Sequence, residues 1–326
     1  MIKLVNDTIN NKDIDKLIKW LGTYPRLTKG PLTLEFEQKW SDWLGSKFTI
    51  FCNSGSSANL LMLWALIECG RIKRDAKIVV PSASWATDLS PVIQLGMTPI
   101  LCDANLEDLS VDLDHLERIF KETSPDVLLL VSVLGLVPKM EKITELCEEY
   151  DVILLEDTCE SMGSKYEDKK LGTFGLMSSF STYFGHHMST IEGGLIRSTD
   201  LQSFIGIGQI DKLDEICKKR NSNFKIYNEL LSDFLPYIKD NGFISNFAYP
   251  VITKDRDKII KKLQDANIEV RPMICGSMGT QPFYVKRYGR KELPNVSMVD
   301  KYGFYIPNHP ELTRKQINKI VKIIKE

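Results

Sequence analysis

The first 200 residues alternate between short apolar runs and segments whose apolar residues recur at helical spacing. The apolar runs predict strands at residues 48–51, 77–80, 99–102, 127–133 and 152–155. The segments between them predict helices at about residues 58–69, 112–121 and 140–150. Strands that alternate with helices favour a mostly parallel sheet with helices on both faces. Ligands of such sheets bind at the carboxyl ends of the strands.

The pattern changes after Asp200. A long helical pattern covers about residues 211–237, and a smaller α+β pattern follows it. The smaller pattern predicts a strand at 247–252 and helices at 255–266 and 313–325. We therefore predict an α/β fold in two parts. A large domain over residues 1–205 would include an N-terminal arm, and a smaller α+β C-terminal domain would cover residues 206–326.

Composition and charge exclude several classes of protein. The chain has 326 residues, of which 43% are hydrophobic and 26% are charged, and its formal net charge is −1. A net charge this close to zero creates no electrostatic field that would attract nucleic acid or an acidic membrane surface. No apolar run approaches the roughly 20 residues of a membrane span, and residues 1–3 do not open a signal-peptide core. We expect a cytoplasmic protein with neither a nucleic-acid nor a membrane partner.

Seven cysteines are spread widely along the chain. No two of them form a CxxC pair, which disfavours a zinc site or an iron–sulfur cluster. The sequence therefore predicts no metal site. It predicts buried free thiols in a reducing compartment.

Residues 53–59, Asn-Ser-Gly-Ser-Ser-Ala-Asn, join a predicted strand to a predicted helix. Small side chains and the free N–H groups at a helix N-terminus suit a phosphate group. An ordinary helix cap is the alternative, because serine is a favoured N-cap residue.

Two further motifs follow predicted strands. Residues 154–161 end an apolar strand with the carboxylates of Glu156, Asp157 and Glu160. Such a carboxylate can hold a protonated ring nitrogen through a charge-assisted hydrogen bond; a metal ligand and a solvated acidic loop are the alternatives. Trp85 follows the strand that stops at Pro81, where an indole can stack on a flat ring or simply fill the core.

Residues 178–194 form the most unusual stretch. They hold two of the chain's four histidines, His186 and His187, ahead of the pair Gly193-Gly194. The glycines permit close approach of the backbone. Adjacent histidines point in different directions on a regular element, so we do not expect them to bind one metal. A solvated loop is the alternative.

In this order and spacing, the motifs resemble the DegT-type nucleotide-sugar aminotransferase family. The residues that carry the resemblance span almost the whole chain and are Gly30, Phe36-Glu37, Ser54-Gly55-Ser56, Glu156-Asp157, Phe180-Ser181 and Glu192-Gly193-Gly194. The resemblance implies the type I fold of pyridoxal-phosphate-dependent transferases. That fold has a mostly parallel sheet in a large domain and a smaller α+β C-terminal domain.

His186 stands six residues before Glu192, at the position of the family's cofactor-binding lysine. An imidazole has no primary amine, so the resemblance implies that pyridoxal 5'-phosphate or pyridoxamine 5'-phosphate is bound non-covalently. Histidine can still transfer protons near neutral pH. The His-His pair and residues 159–163 and 172–177 are most similar to the sugar 3-dehydratases of the family.

The resemblance therefore implies a dehydratase of 3,6-dideoxysugar biosynthesis. It would remove the C3 hydroxyl of a nucleotide-linked 4-keto-6-deoxy sugar, with a GDP-sugar favoured as substrate, L-glutamate as amino donor and His186 as catalytic acid/base. The residues implied to bind the cofactor are Gly55, Ser56 and Ser181 at the phosphate, Trp85 on the ring face, Asp157 at the ring nitrogen and Glu160 near the ring hydroxyl. His187 and Arg271 are weaker substrate candidates.

The chain departs from the family pattern after Asp200. The family has several dozen further residues there, which reach across a dimer to the neighbouring site, whereas this chain passes almost directly to residues 204–209. The resemblance implies a homodimer, but one without its usual contact segment. Two alternatives stay open: a truncated, non-catalytic relative that binds sugar or cofactor, and a nucleotide-sugar aminotransferase.

Overall fold

The computed structural model describes residues 1–194, 199–238, 242–274 and 276–326. Cys275, one of the predicted free thiols, and residues 196–198 at the predicted junction lie outside these ranges. The described helices are α1 Asn11–Leu21, α2 Pro31–Leu44, α3 Gly55–Glu68, α4 Ala86–Gln94, α5 Leu113–Thr123, α6 Met140–Glu149, α7 Asp200–Leu230, α8 Arg256–Asp265, α9 Pro282–Tyr288, α10 Pro294–Tyr302 and α11 Arg314–Lys325. None of these helices has both the length and the apolar character needed to cross a membrane.

Three sheets organise the described residues. The strands are β1 Lys77–Pro81, β2 Thr98–Cys102, β3 Val127–Val131, β4 Ile153–Asp157, β5 Lys165–Tyr166, β6 Lys169–Lys170, β7 Met177–Ser179, β8 Ala248–Ile252, β9 Arg271–Pro272 and β10 Gly303–Pro307. The main sheet has the order β2-β1-β3-β4-β7, and all its pairs are parallel. A second, antiparallel sheet has the order β8-β10-β9, and β5 and β6 form a short antiparallel ribbon. The predicted parallel sheet is confirmed.

Strand β3 explains why the main sheet needs helices on both faces. All five of its residues are buried, as expected for a central parallel strand with a continuous apolar sequence. Leu128 and Leu130 join the apolar cluster that includes α5 and α6. Val127 and Leu129 join the cluster that includes α3 and α4. Because successive side chains alternate in direction, one short apolar run contributes to both cores.

The strand predicted at residues 48–51 is wrong. Phe48 and Ile50 are 78% and 53% exposed, and no strand of the described part pairs with this segment. Backbone pairing begins only at Cys52, whose N–H and C=O bond the backbone of Gly194 at 2.6 and 3.0 Å. Two alternate residues of this apolar run, Phe48 and Ile50, therefore face solvent, and no described strand lies beside them.

Helix α7 has 31 residues and connects the two parts of the chain. It begins about eleven residues before the predicted helix and passes through positions 205–206, where the sequence places a domain boundary. The largest apolar cluster contains residues of both the main sheet and the β8-β10-β9 sheet, such as Leu130 and Phe304. The division into two domains stays a prediction.

Asp200, the first residue of α7, caps the N-terminus of α2. Its buried carboxylate accepts hydrogen bonds from Gly30 N at 2.8 Å, from Thr33 N at 2.9 Å and from the Thr33 hydroxyl at 2.7 Å. A carboxylate at this end also complements the helix dipole. Farther along, α7 approaches α2 so closely that a Cβ at Gly206 would come within 2.7 Å of the Phe36 ring. The two helices are therefore fixed relative to each other.

Six cysteines lie in the described ranges, and all six are free thiols. Four of them are buried, namely Cys52, Cys102, Cys147 and Cys217, and Cys159 is partly buried. Cys69, at the C-terminal end of α3, is exposed. The prediction of buried thiols therefore fails at Cys69, because the helix turns this position to the surface.

Candidate active site

A cavity of about 540 Å³ lies beyond the carboxyl ends of β1, β3 and β4. Its lining includes eight of the nine residues that the sequence analysis singled out: Gly55, Ser56, Trp85, Asp157, Glu160, Ser181, His186 and Arg271. Residues separated by more than 200 positions are thus brought to one edge of the parallel sheet. This edge is where open α/β sheets bind ligands.

The N-terminal residues of α3 line one end of the cavity. Ser54 is the N-cap, and its hydroxyl accepts the N–H of Ser57 at 3.1 Å. A Cβ at Gly55 would lie 2.7 Å from Cys159 Sγ and 3.0 Å from Ser181 Cβ. The helix-cap interpretation is confirmed at Ser54, whereas the phosphate interpretation stays a prediction; Gly55 allows the tip of α3 to pack closely against Cys159 and Ser181. The remaining N–H groups of the first turn have no intrahelical partner and suit an anion.

The Gly193-Gly194 pair is explained by its contact with this turn. A Cβ at Gly194 would lie 2.2 Å from the Ser54 carbonyl carbon and 2.4 Å from Gly55 N. A Cβ at Gly193 would lie 2.3 Å from the Thr182 hydroxyl. Side chains at either position would therefore push the histidine-bearing loop away from the helix tip.

Residues 181–194 form a loop that is mostly buried, which contradicts the solvated-loop alternative. The loop is closed by backbone hydrogen bonds from Thr182 N to Gly193 O at 2.8 Å and from Thr190 N to Thr182 O at 2.9 Å. The N-terminal arm covers it: Thr8 Oγ1 accepts the N–H of Ser189 at 3.0 Å. Val5 packs beside the tip of the loop, within 3.3 Å of where a Cβ at Gly185 would stand.

His186 lies at the tip of this loop and lines the cavity. Its Nδ1 is buried, with no hydrogen-bond partner among the described residues, and its ring packs against that of Phe247 at a centroid distance of 5.4 Å. Burial, reinforced by the charge of Arg220 and opposed by that of Asp157, lowers the pKa of His186 to about 4. The imidazole is therefore neutral at physiological pH and can accept a proton.

His187 does not reach the cavity. Its side chain is fully buried, and Nε2 lies 2.6 Å from the carbonyl oxygen of Ser245, to which it donates. Burial and the nearby Arg220 lower its pKa well below the ordinary value. The structure separates the two neighbouring histidines, one facing the cavity and the other facing the segment 245–247.

Arg220 of α7 supports that same segment. Its side chain is fully buried, and Nη1 donates to the carbonyl oxygens of Phe247 at 2.8 Å, Asn246 at 3.3 Å and Asn308. Nε and Nη2 have no hydrogen-bond partner in the described part, and no carboxylate there forms an ion pair with it. The backbone against which both histidines rest is thus held by an uncompensated guanidinium.

Asp157 ends β4 and is fixed from two sides. Its Oδ1 accepts the N–H of Cys159 at 2.9 Å, and its Oδ2 accepts from Asn59 Nδ2 at 2.6 Å. The Ser179 hydroxyl donates to Asn59 Oδ1 at 2.6 Å, which determines the orientation of the amide. Asn59 Nδ2 also donates to Asp88 Oδ1 at 2.9 Å. A buried network therefore positions the carboxylate at the strand end.

Glu160 is a buried carboxyl beside the indole nitrogen of Trp85. Its Oε2 accepts the N–H of Leu134 at 2.7 Å, and Oε1 lies 3.5 Å from the indole nitrogen of Trp85. Burial raises the pKa of Glu160 to about 8. The side chain is therefore protonated at neutral pH and can donate a hydrogen bond into the cavity. The third carboxylate of the motif, Glu156, points away and accepts three backbone N–H groups of residues 172–175 at 2.7 Å.

Arg271 lies at the mouth of the cavity on β9. It is exposed and forms an ion pair with Glu269 at 3.6 Å. Both residues line the cavity. Arg271 is thus a surface ion-pair member and also a cation at the entrance.

Sequence reasoning missed several lining residues. They are Leu4, Val5, Thr87, Asp88, Tyr183, Phe184, Phe247, Glu269 and Tyr305. Asp88 could have been found from its place three residues after Trp85, where an acidic side chain commonly closes a helix capping box. Phe247 and Tyr305 come from distant strands and have no local signature. Across the described ranges, no group of three or more His, Cys, Asp or Glu side chains is arranged to hold a metal ion.

Comparison with protein families identifies one match that spans nearly the whole chain. The model of the DegT/DnrJ/EryC1/StrS aminotransferase family matches residues 8–201 and 196–325. The two matched segments overlap at residues 196–201, next to the position where the chain departs from the family pattern.

Known relatives point to one group within that family. The chain is 28% identical over 387 aligned positions to the GDP-4-keto-6-deoxy-D-mannose 3-dehydratase of Yersinia pseudotuberculosis, covering 99% of this chain and 98% of that protein. The solved Escherichia coli enzyme of the same name, with bound hydrated PLP, superposes with a TM-score of 0.93 at 25% identity and covers 99% of each chain. A histidine-to-asparagine mutant of a GDP-4-keto-6-deoxymannose-3-dehydratase, solved with bound GDP-perosamine, gives a TM-score of 0.92 at 25% identity. It covers 99% of this chain and 100% of that one. The predicted fold class, a pyridoxal-phosphate-dependent transferase fold, is confirmed.

Proposed function

The chain belongs to the DegT/DnrJ/EryC1/StrS aminotransferase family, and from this premise we propose that it is a pyridoxamine-phosphate-dependent sugar 3-dehydratase. Its substrate is a nucleotide-linked 4-keto-6-deoxy sugar, with a GDP-sugar favoured, and L-glutamate is the amino donor. The relatives named as 3-dehydratases, which match this chain from end to end, support the reaction class.

One observation carries the proposal. His186, which stands where the family has its lysine, lines the same cavity as Trp85, Asp157 and the tip of α3. A neutral imidazole beside these groups can move a proton, but it cannot attach an aldehyde covalently. Retention of the groups that suit a cofactor ring favours a working dehydratase over a decayed site.

The residues present fit a phosphorylated pyridine cofactor. Gly55 and Ser181 line the cavity beside the tip of α3, and the N–H groups of this helix start suit a phosphate. Asp157 offers a buried carboxylate for a protonated ring nitrogen. The indole of Trp85 is 45% exposed toward the cavity and is available for stacking on a flat ring.

When bound, the cofactor supplies the amino group and the electron sink for the elimination. The chain supplies position and proton transfer. We assign Gly55, Ser56 and Ser181 to the phosphate, Trp85 to the ring face and Asp157 to the ring nitrogen. Glu160, as a neutral acid, donates to the ring hydroxyl. His187 has no role in this assignment, because its side chain is occupied by Ser245.

His186 acts as the base and acid of the elimination. Its lowered pKa keeps the imidazole neutral, so it can accept a proton at the start of the step. The protonated imidazole of His186 can then donate its proton to the C3 hydroxyl, which leaves as water. The buried position beside Phe247 shields this transfer from bulk solvent. Arg271 at the entrance suits an anionic part of the nucleotide.

We propose a homodimer, as in the family, but one that assembles without the usual contact segment. The alignment with the Yersinia pseudotuberculosis relative extends over 387 positions, whereas this chain has 326 residues. This shortening is the observation that favours the second candidate, a non-catalytic relative that binds sugar or cofactor. An aminotransferase is the third candidate.

A product assay separates the three candidates. The purified protein is incubated with GDP-4-keto-6-deoxymannose, L-glutamate and pyridoxal 5'-phosphate. A dehydratase converts each sugar to a 3-deoxy product that lacks one oxygen atom, and it releases 2-oxoglutarate and ammonia in equal amounts. An aminotransferase releases 2-oxoglutarate, retains the nitrogen on the sugar and leaves the C3 hydroxyl in place.

The same reaction without glutamate is the control, because nothing then supplies the two electrons that the deoxygenation requires. A protein that perturbs the absorbance of the added cofactor but yields none of these products is the binding relative, and that result would refute the dehydratase.

A further inference from the structure

Asp88 is a buried carboxyl that none of the roles above uses. It lies in the first turn of α4, is 1% exposed and lines the cavity. Its Oδ2 accepts the backbone N–H of Trp85 at 2.9 Å. Its Oδ1 accepts from Asn59 Nδ2 at 2.9 Å, and the same nitrogen donates to Asp157 Oδ2 at 2.6 Å. The Asp88 side chain thus connects, through Asn59, the backbone of Trp85 to the strand-end carboxylate of Asp157.

We propose that Asp88 is a positioning residue that holds Trp85 with one oxygen and Asn59 with the other. It thereby fixes the stacking indole relative to the Asp157 carboxylate and sets the angle and depth at which a flat, protonated heteroaromatic ring is bound. This inference rests on the proposed function, in which that ring is the cofactor's pyridine.

The geometry requires both Asp88 oxygens as acceptors. Trp85 N and Asn59 Nδ2 are both donors, and Asn59 cannot turn its amide around, because the Ser179 hydroxyl donates to its Oδ1 at 2.6 Å. An amide at position 88 has a single acceptor oxygen. Asparagine there would place its NH2 group against one of the two donors, so one of the two connections would be lost.

Charge at this site supports the same role. Burial raises the pKa of Asp88 well above its ordinary value, and the adjacent Asp157 raises it further. The other titratable groups that face Asp88 are Cys159 and Glu160, which follow β4 and are themselves held in their neutral forms by burial. Because Asn59 Nδ2 donates to both Asp88 and Asp157, it lies between two carboxylates that would otherwise repel each other.

Three variants test the role. Asp88→Asn removes one acceptor. Asn59→Ala cuts the connection to Asp157 but leaves the Trp85–Asp88 bond intact. Asp108→Asn is the matched control, because Asp108 is another buried aspartate that accepts a backbone N–H, from Ser110 at 2.9 Å, away from the cavity. The readouts are the Kd for pyridoxal and pyridoxamine 5'-phosphate, from absorbance or fluorescence titration, and amide hydrogen exchange at Trp85 in the cofactor-free protein.

We expect Asp88→Asn to raise both Kd values at least tenfold and to accelerate exchange at Trp85 at least tenfold. Asn59→Ala should weaken cofactor binding by a similar factor while exchange at Trp85 changes less than twofold. Asp108→Asn should leave both readouts within twofold of the wild type. The two effects on Kd should also combine less than multiplicatively in the double variant, since both changes break one network.

Unchanged Kd and unchanged exchange in Asp88→Asn overturn the proposal, and so does an equal loss of affinity in Asp108→Asn. If Asp88→Asn does not fold, Asn59→Ala decides alone: cofactor binding as tight as that of the wild type overturns the proposal. If the wild type binds neither cofactor form, the proposed function fails first. Exchange at Trp85 then still decides whether Asp88 holds the start of α4.

Discussion

Two sides of the cavity differ in how their polar atoms are satisfied. The cofactor side consists of residues at the edge of the parallel sheet: Asn59, Trp85, Asp88, Asp157 and Glu160. The histidine side consists of His186, which lines the cavity, and of two buried residues close to it that do not line the cavity, His187 and Arg220. No buried side-chain atom of the cofactor side lacks a hydrogen-bond partner, whereas the histidine side has four such atoms: Nδ1 of both histidines and Nε and Nη2 of Arg220.

This difference indicates that, in the proposed function, one group of residues binds the cofactor and another transfers the proton. A satisfied network on rigid strands and helix ends preorganises contacts to a ring before it arrives. A proton acceptor, by contrast, must keep a nitrogen that is not already bonded. Burial keeps the imidazole of His186 neutral, and its Nδ1 has no hydrogen-bond partner among the described residues, as the proposed proton transfer requires. The four predictions below alter one side at a time.

The largest effect is expected from His186→Asn on the histidine side. Loss of the acid/base group should lower the rate of dehydration by about 100- to 10,000-fold. Cofactor affinity should stay within about twofold, because the cofactor side is untouched. Steady-state product formation and absorbance titration measure the two effects. Full activity in this variant would remove His186 from the mechanism.

Arg220→Met should be the most destabilising change on the histidine side. It leaves the carbonyl groups of Asn246, Phe247 and Asn308 without their buried donor, and we expect a loss of about 2–4 kcal/mol in the free energy of unfolding. Lys219→Met, one residue earlier on the exposed face of α7, is the control and should change stability by less than about 0.5 kcal/mol. Urea denaturation measures both. Equal stability of the two variants would mean that the guanidinium does not hold segment 245–247.

Glu160→Gln tests the cofactor side through pH. Burial raises the pKa of Glu160 from 4.5 to about 8, so the native state binds this proton more tightly than the unfolded state. Its stabilising contribution is present below about pH 4.5 and is lost as pH rises through 8. The stability of the wild type relative to Glu160→Gln should therefore fall by a few kcal/mol between pH 5 and pH 9. Denaturant titrations across this range measure the slope.

The exposed Glu149 supplies the control for that experiment. Glu149→Gln removes an exposed carboxyl from the end of α6, so it should shift stability by the same small amount at every pH above 5. A flat difference for Glu160→Gln would contradict the neutral form of Glu160.

The smallest effect is expected from Gly55→Ala. The added methyl group would meet Cys159 Sγ at 2.7 Å and Ser181 Cβ at 3.0 Å, and it would push the tip of α3, which we assign to the phosphate, away from Ser181. We expect roughly tenfold weaker binding of pyridoxal 5'-phosphate, about 1.4 kcal/mol. Gly22→Ala is the control, because its nearest atoms are 3.4 Å away at the exposed end of α1. Unaltered affinity in Gly55→Ala would place the phosphate elsewhere.

The elements with strong periodicity could be predicted from sequence because burial dictates them. Strands β1 to β4 appear as apolar runs, and helices α5, α6, α8 and α11 are bounded within about two residues of their predicted ends. The segment 48–51 shows the limit of that reasoning. Its apolar residues look like a strand, but a strand also needs a neighbour to pair with, and neighbours are decided by tertiary structure.

For the site, motifs that lie at strand ends were enough to find residues such as Trp85, Asp157 and His186. The hydrogen-bond network that positions Asp157 could not be predicted. Asn59 and Ser179 have no distinctive sequence signature, and only folding brings them close to Asp157. The separate fates of His186 and His187 also depend on folding. Packing against segment 245–247 determines which of the two imidazoles is buried away from the cavity.

The carboxylate of Asp200 that holds the start of α2 has a consequence for engineering. Because this clamp ties the first residue of α7 to the start of α2, a longer connection grafted at this point of the chain has to keep the Asp200 carboxylate in place.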